Sequence, residues 1–277
     1  MTSWWQHLPK YIDPIAFSIG FFDVRFYSLS WILGFFAVWL FLSFRVRRDG
    51  CEVTFRDKVL DILPWIFFGA MLGGRLGYAA LYAPSYFWQH PLHLFIPFEN
   101  GVFIGFFGMS FFGGAIGVIA MLWLLSRKTP DFFLRAVDYY ALSIPIALFF
   151  GRMGNFFNGE LFGRVTSVPW GMYFLGGGDV LRHPSQLYEA FFEGVVLFFL
   201  LFLFHSCRRT AGMLGAAFLF GYGFFRVIME FFREPDFGDP LFLTFSLGQW
   251  YGFFFLIAAF ILFTSILSIS LKSHHMR

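Results

Sequence analysis

A dense group of polar side chains follows a long apolar run in the middle of the chain. Residues 151–163 read Gly-Arg-Met-Gly-Asn-Phe-Phe-Asn-Gly-Glu-Leu-Phe-Gly, so one arginine, two asparagines and one glutamate lie close together. Arginine and asparagine can donate hydrogen bonds to an anion, and a glutamate can fix an arginine or accept a proton. Polar groups retained beside such apolar sequence are costly, and they indicate a functional site.

Three further polar clusters are predicted to face the same side of a membrane. Two are residues 183–189, His-Pro-Ser-Gln-Leu-Tyr-Glu, and residues 23–27, Asp-Val-Arg-Phe-Tyr. The third is a stripe on one face of a predicted helix, formed by Tyr222, Arg226, Glu230 and Arg233. In the 183–189 cluster, helical spacing likewise puts Gln186 and Glu189 on one face together with Glu193. Arginines that converge with asparagine and tyrosine at headgroup depth are suited to bind the phosphate of a phospholipid.

Simpler interpretations of these charges remain open at this point. Arg226 and Glu230 could form an ion pair that only holds helices together, and Arg25 could only reach towards the headgroups. In the phosphate-site interpretation, Glu160, Glu189 and Glu230 fix the arginines or accept a proton. The residues carry no zinc-ligand motif and no phosphate-cradling glycine loop. The residue chemistry therefore predicts an anionic-lipid site without specifying a reaction.

The composition indicates a membrane protein. Of 277 residues, 58% are hydrophobic and 13% are charged, and 47 are phenylalanine. A soluble domain has about 25% charged residues. So much aromatic surface is tolerated in lipid and not in water, and the expected fold is an all-α integral membrane protein.

Seven apolar segments are long enough to be predicted as membrane spans. They are residues 20–44, 59–82, 101–126, 136–151, 185–206, 211–232 and 247–271, of which the fourth is the shortest. With the N-terminus outside, the inner loops hold twelve lysines and arginines and the outer segments hold five. This asymmetry predicts an outside N-terminus and a cytoplasmic C-terminus.

The chain is predicted to be a single polytopic domain over residues 1–277 with two outside elaborations. Residues 83–100 mix aromatics, histidine and proline, which is typical of an arm at the membrane interface. Residues 152–184 form the longest outside connection and are predicted to fold as a small head. The spacings of Gly73 with Gly77 and of Gly113 with Gly117 indicate close helix contacts.

Several ordered motifs together resemble the bacterial prolipoprotein diacylglyceryl transferase family over nearly the whole chain. The 151–163 block is similar to the family's signature. The other matching motifs are Asp-Pro-Ile-Ala-Phe at 13–17, Val-Arg-Phe-Tyr at 24–27, Gly-Gly-Arg-Leu-Gly-Tyr at 73–78, Gly-Met-Ser-Phe-Phe-Gly-Gly at 108–114, Arg-His-Pro-Ser-Gln-Leu-Tyr-Glu at 182–189 and Glu-Phe-Phe-Arg-Glu-Pro-Asp at 230–236.

The resemblance implies a multi-pass enzyme of the bacterial inner membrane with seven transmembrane helices and a periplasmic head. It implies transfer of the diacylglyceryl group of phosphatidylglycerol to the lipobox cysteine of a prolipoprotein signal peptide, with formation of a thioether. By motif match, Arg152 and Arg233 would hold the lipid phosphate. The residues that would shape the site around them are Tyr27, Asn155, Glu160 and Gly163. Together with Glu189 and Glu230 these complete the predicted site, and we expect a monomer without cofactor, metal or nucleic acid.

One departure from the family pattern, at Phe112, bears on the chemistry, and a second, Ser28 where the family tends to have glycine, affects only local packing. The family has histidine after Gly-Met-Ser-Phe, where it is the usual candidate for thiol activation, and this chain has Phe112. Phenylalanine cannot accept a proton. Glu160 or His183, with Tyr27 in a minor role, could replace it, or the small thiolate fraction near neutral pH could suffice. A weak or inactive phosphatidylglycerol-binding homologue is the alternative function, and a transporter is a more distant one.

Overall fold

The computed structural model describes residues 3–20, 22–96, 98–99, 102–103, 108–205, 210–234 and 245–275. Parts of some predictions lie outside these residues. They are the inner-loop arginines Arg208 and Arg209, the end of the motif at Pro235 and Asp236, and several positions around the end of the predicted arm.

The described chain is mostly helical. The α-helices are α1 (Leu8–Tyr11), α2 (Phe26–Arg48), α3 (Val53–Leu81), α4 (Pro84–Gln89), α5 (Phe111–Ser126), α6 (Pro130–Phe157), α7 (Ser185–Glu189), α8 (Leu197–His205), α9 (Met213–Met229) and α10 (Leu247–His275). A π-helical segment, Ala190–Val196, joins α7 to α8. Short antiparallel pairs are β1 (Ile15–Ile19) with β2 (Phe22–Arg25), and β3 (Phe98–Glu99) with β4 (Val102–Phe103).

Each predicted span corresponds to an apolar helix, which confirms the all-α membrane fold. Five helical stretches are long and apolar enough to cross a bilayer, and α5 and α9 are shorter, with 16 and 17 residues. Two predicted boundaries were wrong. The third span begins at Phe111 because the Ser110 side chain caps α5 by accepting from the Gly113 amide. The fourth, predicted as the shortest, belongs to the 28-residue α6, because polar residues continue that helix to Phe157.

The chain divides into two compact units, one of residues 1–44 and 137–277 and the other of residues 45–136. In the second unit, α3 and α5 pack through facing glycines. A Cβ placed on Gly113 would lie 2.8 Å from the Gly77 Cα, and one on Gly117 would lie 3.0 Å from the Gly73 Cα. The two backbones therefore touch, as the glycine spacings predicted, and neither helix can accept a larger residue here.

Replacing Gly113 with leucine should separate α3 from α5. We expect a loss of about 3 kcal/mol in stability, because the side chain would have to displace backbone atoms of the facing helix. Thermal unfolding of the detergent-solubilised protein would measure it. Ile116→Val is the matched control, since Ile116 lies on the same helix and is 63% exposed. Equal unfolding temperatures for the two variants would contradict the glycine contact.

Arg75 holds the segment that follows α3 in the second unit. Its guanidinium donates to the carbonyl oxygens of His93 at 2.5 Å and Leu94 at 3.3 Å, and it stacks 4.9 Å from the Phe87 ring centre. Trp88, in α4, is 89% exposed. Arg75 thus holds the chain after α3 against the end of that helix. Trp88 stays exposed, as aromatic side chains at bilayer surfaces do.

The first unit has an apolar core between its long helices. Leu142, Leu197, Leu214 and Tyr222 are among the buried residues of this core. Asp138, on α6, fixes the start of α9 because its carboxylate accepts the amides of Gly212 and Gly215 at 2.8 and 3.0 Å. A carboxylate at a helix N-terminus offsets the unpaired amides and the positive end of the helix dipole. The direction of α9, which carries the polar stripe, is set in this way.

Candidate active site

The last turns of α6 carry the first polar residues of the 151–163 block. The helix ends at Phe157, and Gly159 follows with a φ of 68°, a left-handed conformation that glycine adopts without strain. This turn folds the chain back, so that the Asn155 amide donates to the Glu160 carboxylate at 2.8 Å. Asn155 and Glu160 are therefore brought together by the helix end.

Arg152 lies in a buried cluster of charges. Its Nε is 2.7 Å from Glu189 Oε2, and its Nη2 is 3.4 Å from Glu193 Oε2. The side chains of Glu189 and Glu193 are 1% and 0% exposed. The Nη1 atom of Arg226 is 3.7 and 3.9 Å from the Oε1 atoms of the same two glutamates, and its Nη2 is 2.8 Å from Glu230 Oε2. Two arginines thus share one glutamate pair.

A close helix contact brings these charges within reach of each other. Gly194 lies in the π-helical segment, and a Cβ there would be 2.8 Å from the Cβ of Phe149 on α6. Phe149 is three residues before Arg152, and Gly194 directly follows Glu193. Because glycine lets α6 approach at this level, the arginine reaches both carboxylates.

Tyr27 lies in the first turn of α2 beside the same part of α6. A Cβ on Gly154 would be 3.2 Å from Tyr27 Cδ2 and 3.1 Å from Ser30 Cβ, so the two helices touch. The Tyr27 ring packs edge-on against the Trp31 ring, with centroids 6.3 Å apart, and its hydroxyl lies within electrostatic range of Arg152 and Glu160. The structure therefore places Tyr27 at the edge of the polar block.

Gly163 and Arg233 are joined through their backbones. They form an antiparallel β-bridge, with the Arg164 amide donating to the Phe232 carbonyl at 2.9 Å. A Cβ on Gly163 would collide with the Phe232 carbonyl and lie 2.6 Å from His183 Cβ. Arg233 is 8% exposed, and its charge acts on the buried glutamate pair. The loop that follows α6 is thus joined to the segment after α9 at the position where the motif has glycine.

His183 lies on the other side of this junction. Its carbonyl accepts the Gly163 amide at 2.8 Å, and its Nδ1 is 3.2 Å from the Tyr188 hydroxyl. Desolvation lowers the pKa of the His183 imidazole, so the ring stays neutral over a wider pH range and remains able to accept a proton. His183 is thus an imidazole that favours the neutral form, next to the backbone of Gly163.

The structure brings most of the predicted site residues into two adjoining groups. Arg152, Glu189 and Glu230 lie in the charge cluster, while Tyr27, Asn155 and Glu160 lie beside it along α6. Two members of the cluster, Arg226 and Glu193, were grouped by spacing but not assigned to the site. Their signal was the helical spacing of polar residues, four and four from Tyr222 to Glu230 and three and four from Gln186 to Glu193. Phe112 lies in the first turn of α5, which belongs to the second unit.

A family model, prolipoprotein diacylglyceryl transferase, matches residues 14–265. The chain belongs to this family. Relatives with the name phosphatidylglycerol–prolipoprotein diacylglyceryl transferase are similar to this chain over almost its whole length. That of Chlorobaculum tepidum is 45% identical over 256 residues, covering 90% of this chain and 88% of the relative. That of Idiomarina loihiensis is 45% identical over 251 residues, covering 90% of each chain.

The relative from Geobacter sulfurreducens is 45% identical over 244 residues, covering 88% of this chain and 91% of its own. The family match therefore includes the charge cluster, residues 152–184 and the helices from α2 to α9, and it ends within α10. The apolar helices and the bacterial relatives together indicate that this family member is a multi-pass protein of the bacterial inner membrane.

Proposed function

We propose that the chain transfers the diacylglyceryl group of phosphatidylglycerol to the lipobox cysteine of a prolipoprotein. The observation that carries the proposal is the match to transferases at 45% identity over 90% of the chain. The buried arginine cluster supports it, because the substrate brings a phosphate into the membrane. Nothing in the comparisons favours the inactive lipid-binding alternative.

The reaction replaces one bond of the lipid glycerol with another. The cysteine thiolate attacks the carbon of the diacylglyceryl group that bears the phosphate ester oxygen, so a C–S bond forms and that C–O bond breaks. The bonding pair leaves with the oxygen as glycerol phosphate, and the thiol proton passes to an acceptor. Donors aimed at the leaving oxygen stabilise the charge that grows there, and binding both substrates supplies proximity.

The residues divide these tasks between them. Arg152 and Arg233 hold the phosphate, and Arg226 joins them because it shares the glutamate pair with Arg152. One guanidinium group can donate two parallel hydrogen bonds to two oxygens of a phosphate, which suits arginine to this role. Glu189 and Glu230 fix the arginines. The residues that shape the lipid site around them are Tyr27, Asn155, Glu160 and Gly163.

The proton acceptor is a second part of the proposal, because Phe112 cannot take that role. Glu160 lies next to Asn155 at the end of α6, and His183 is a neutral imidazole beside Gly163. Either can take the thiol proton, with Tyr27 in a minor role. A free cysteine thiol has a pKa of ~8.5, so a small fraction of thiolate also forms near neutral pH without a base.

The proposed orientation puts the N-terminus and residues 152–184 in the periplasm, with residues 83–100 as an interfacial arm. The excess of lysine and arginine in the opposite loops supports it. In this arrangement the polar cluster opens towards the side from which a prolipoprotein signal peptide presents its cysteine. The transferase acts as a monomer.

The direct test is incubation of the purified protein with phosphatidylglycerol and a lipobox peptide, followed by mass spectrometry. We expect the peptide to gain the mass of one diacylglyceryl group, and a Cys→Ser peptide to gain none. Phe112→His should change the rate by less than about tenfold, since a positioned base that was otherwise missing would add about 100-fold. A wild-type chain that is inactive until Phe112→His is introduced would contradict the proposal and favour the lipid-binding alternative.

A further inference from the structure

We propose that Glu193 is a positioning residue for the transfer reaction, holding Arg152 and Arg226 together for one phosphate. This inference rests on the proposed function and assigns a role to a residue that no motif match selected. Glu193 touches Arg152 at 3.4 Å and lies 3.9 Å from Arg226. It acts on the substrate through these arginines.

The charges in the cluster are balanced and buried. Glu189 and Glu193 are 1% and 0% exposed, and the arginines between them are 13% and 10% exposed. Glu230 and Arg233 add one charge of each sign to this group. Removing one partner of a buried pair leaves an uncompensated charge, so the arginine positions depend on both glutamates.

Four atoms in the cluster are buried and have no hydrogen-bond partner among the described residues. They are Glu189 Oε1, Glu193 Oε1, Glu230 Oε2 and Arg226 Nη1. The Nη1 atom faces the Glu189 and Glu193 oxygens at 3.7 and 3.9 Å, which is beyond hydrogen-bond distance but within electrostatic reach. Arg226 is therefore held by Glu230 through Nη2 and aligned by the glutamate pair, while Nη1 remains available to a phosphate oxygen.

The local helix geometry gives Glu193 its place. It lies in the π-helical segment Ala190–Val196, which interrupts the regular α-helical pattern between α7 and α8. Such interruptions are frequent at functional sites because they redirect a side chain. Gly194, the next residue, packs against Phe149 and fixes the segment one turn from Arg152. A helix contact alone would not need a fully buried carboxylate at this position.

The experiment compares Glu193→Gln, Glu193→Leu and Phe191→Leu, with kcat and KM for phosphatidylglycerol and thermal unfolding measured for each. Glutamine keeps an oxygen near Arg152 but removes the charge, so we expect kcat to fall about tenfold. We expect KM not to rise, because the cluster gains a net positive charge, and the unfolding temperature to fall by too little to account for the loss of kcat, because glutamine keeps the oxygen near Arg152. Leucine removes the contact and should lower kcat about 100-fold. Phe191, 53% exposed on the same segment, serves as the control.

The outcomes separate the inference from the function on which it rests. A wild-type kcat in Glu193→Gln would overturn the positioning role. Losses of kcat that only match the loss of folded protein in each variant would overturn it too. Either result would leave the proposed transferase function standing. An inactive wild-type chain would instead overturn the proposed function, and this inference with it. A fall in kcat without a rise in KM in folded Glu193→Gln supports the proposal.

Discussion

Replacing Arg152 with alanine is expected to lower kcat/KM for phosphatidylglycerol by about 1000-fold, the upper end of the effect of removing one preorganised donor to a developing anion. Arg152 reaches both Glu189 and Glu193 and lies on the helix that carries the polar block. Its loss removes the donor and also leaves two buried carboxylates with less compensation. The initial rate of thioether formation, followed by mass spectrometry, measures the effect.

Two variants control this result. Arg152→Lys keeps the charge but not the planar fork, so it should lie between alanine and the wild type. Arg47→Ala removes an exposed arginine from the last turn of α2 and should leave the rate unchanged. The assigned role of Arg152 would be wrong if the alanine variant kept its rate within threefold of the Arg47→Ala control.

Gly163→Ala should lower activity about 100-fold, as much as a small misplacement of catalytic groups. A single methyl group would collide with the Phe232 carbonyl and with His183, so the β-bridge to Arg233 cannot form as it stands. Arg233 and the head would shift relative to the charge cluster. The same thioether assay, with the unfolding temperature measured in parallel, tests this.

Gly114→Ala is the matched control for this glycine. A Cβ on Gly114 meets only the Ala70 carbonyl, at an ordinary 3.4 Å, and the residue lies inside α5. Alanine is favoured over glycine in a helix, so this variant should fold at least as stably as the wild type. Full activity in Gly163→Ala would show that the bridge to Arg233 does not position the site.

The local sequence was sufficient to predict the apolar helices that carry the charge cluster. The apolar segments gave the long helices, and the four-residue intervals on the fifth and sixth spans placed Glu189, Glu193 and Arg226 on inward faces. The facing glycines of α3 and α5 were also visible as spacings. These features depend on periodicity within one segment, which a sequence displays directly.

Other features depend on contacts between segments, and the sequence does not display them. The extension of α6 to Phe157 was missed because a change from apolar to polar residues was interpreted as the end of the helix. The π-helical segment has the same composition as the α-helix on either side. Arg226 was left out of the site because its link to Arg152 runs through glutamates on a third helix. The tertiary structure was needed to bring these groups together.

The most direct test of the account measures both products of one reaction. Purified wild-type protein and Arg152→Ala would be incubated with phosphatidylglycerol and a lipobox peptide, and the reaction stopped at several times. The account predicts equal amounts of thioether peptide and free glycerol phosphate from the wild type, and a large parallel loss of both in Arg152→Ala. Wild-type protein that binds the lipid but yields neither product, or glycerol phosphate without thioether, would contradict it.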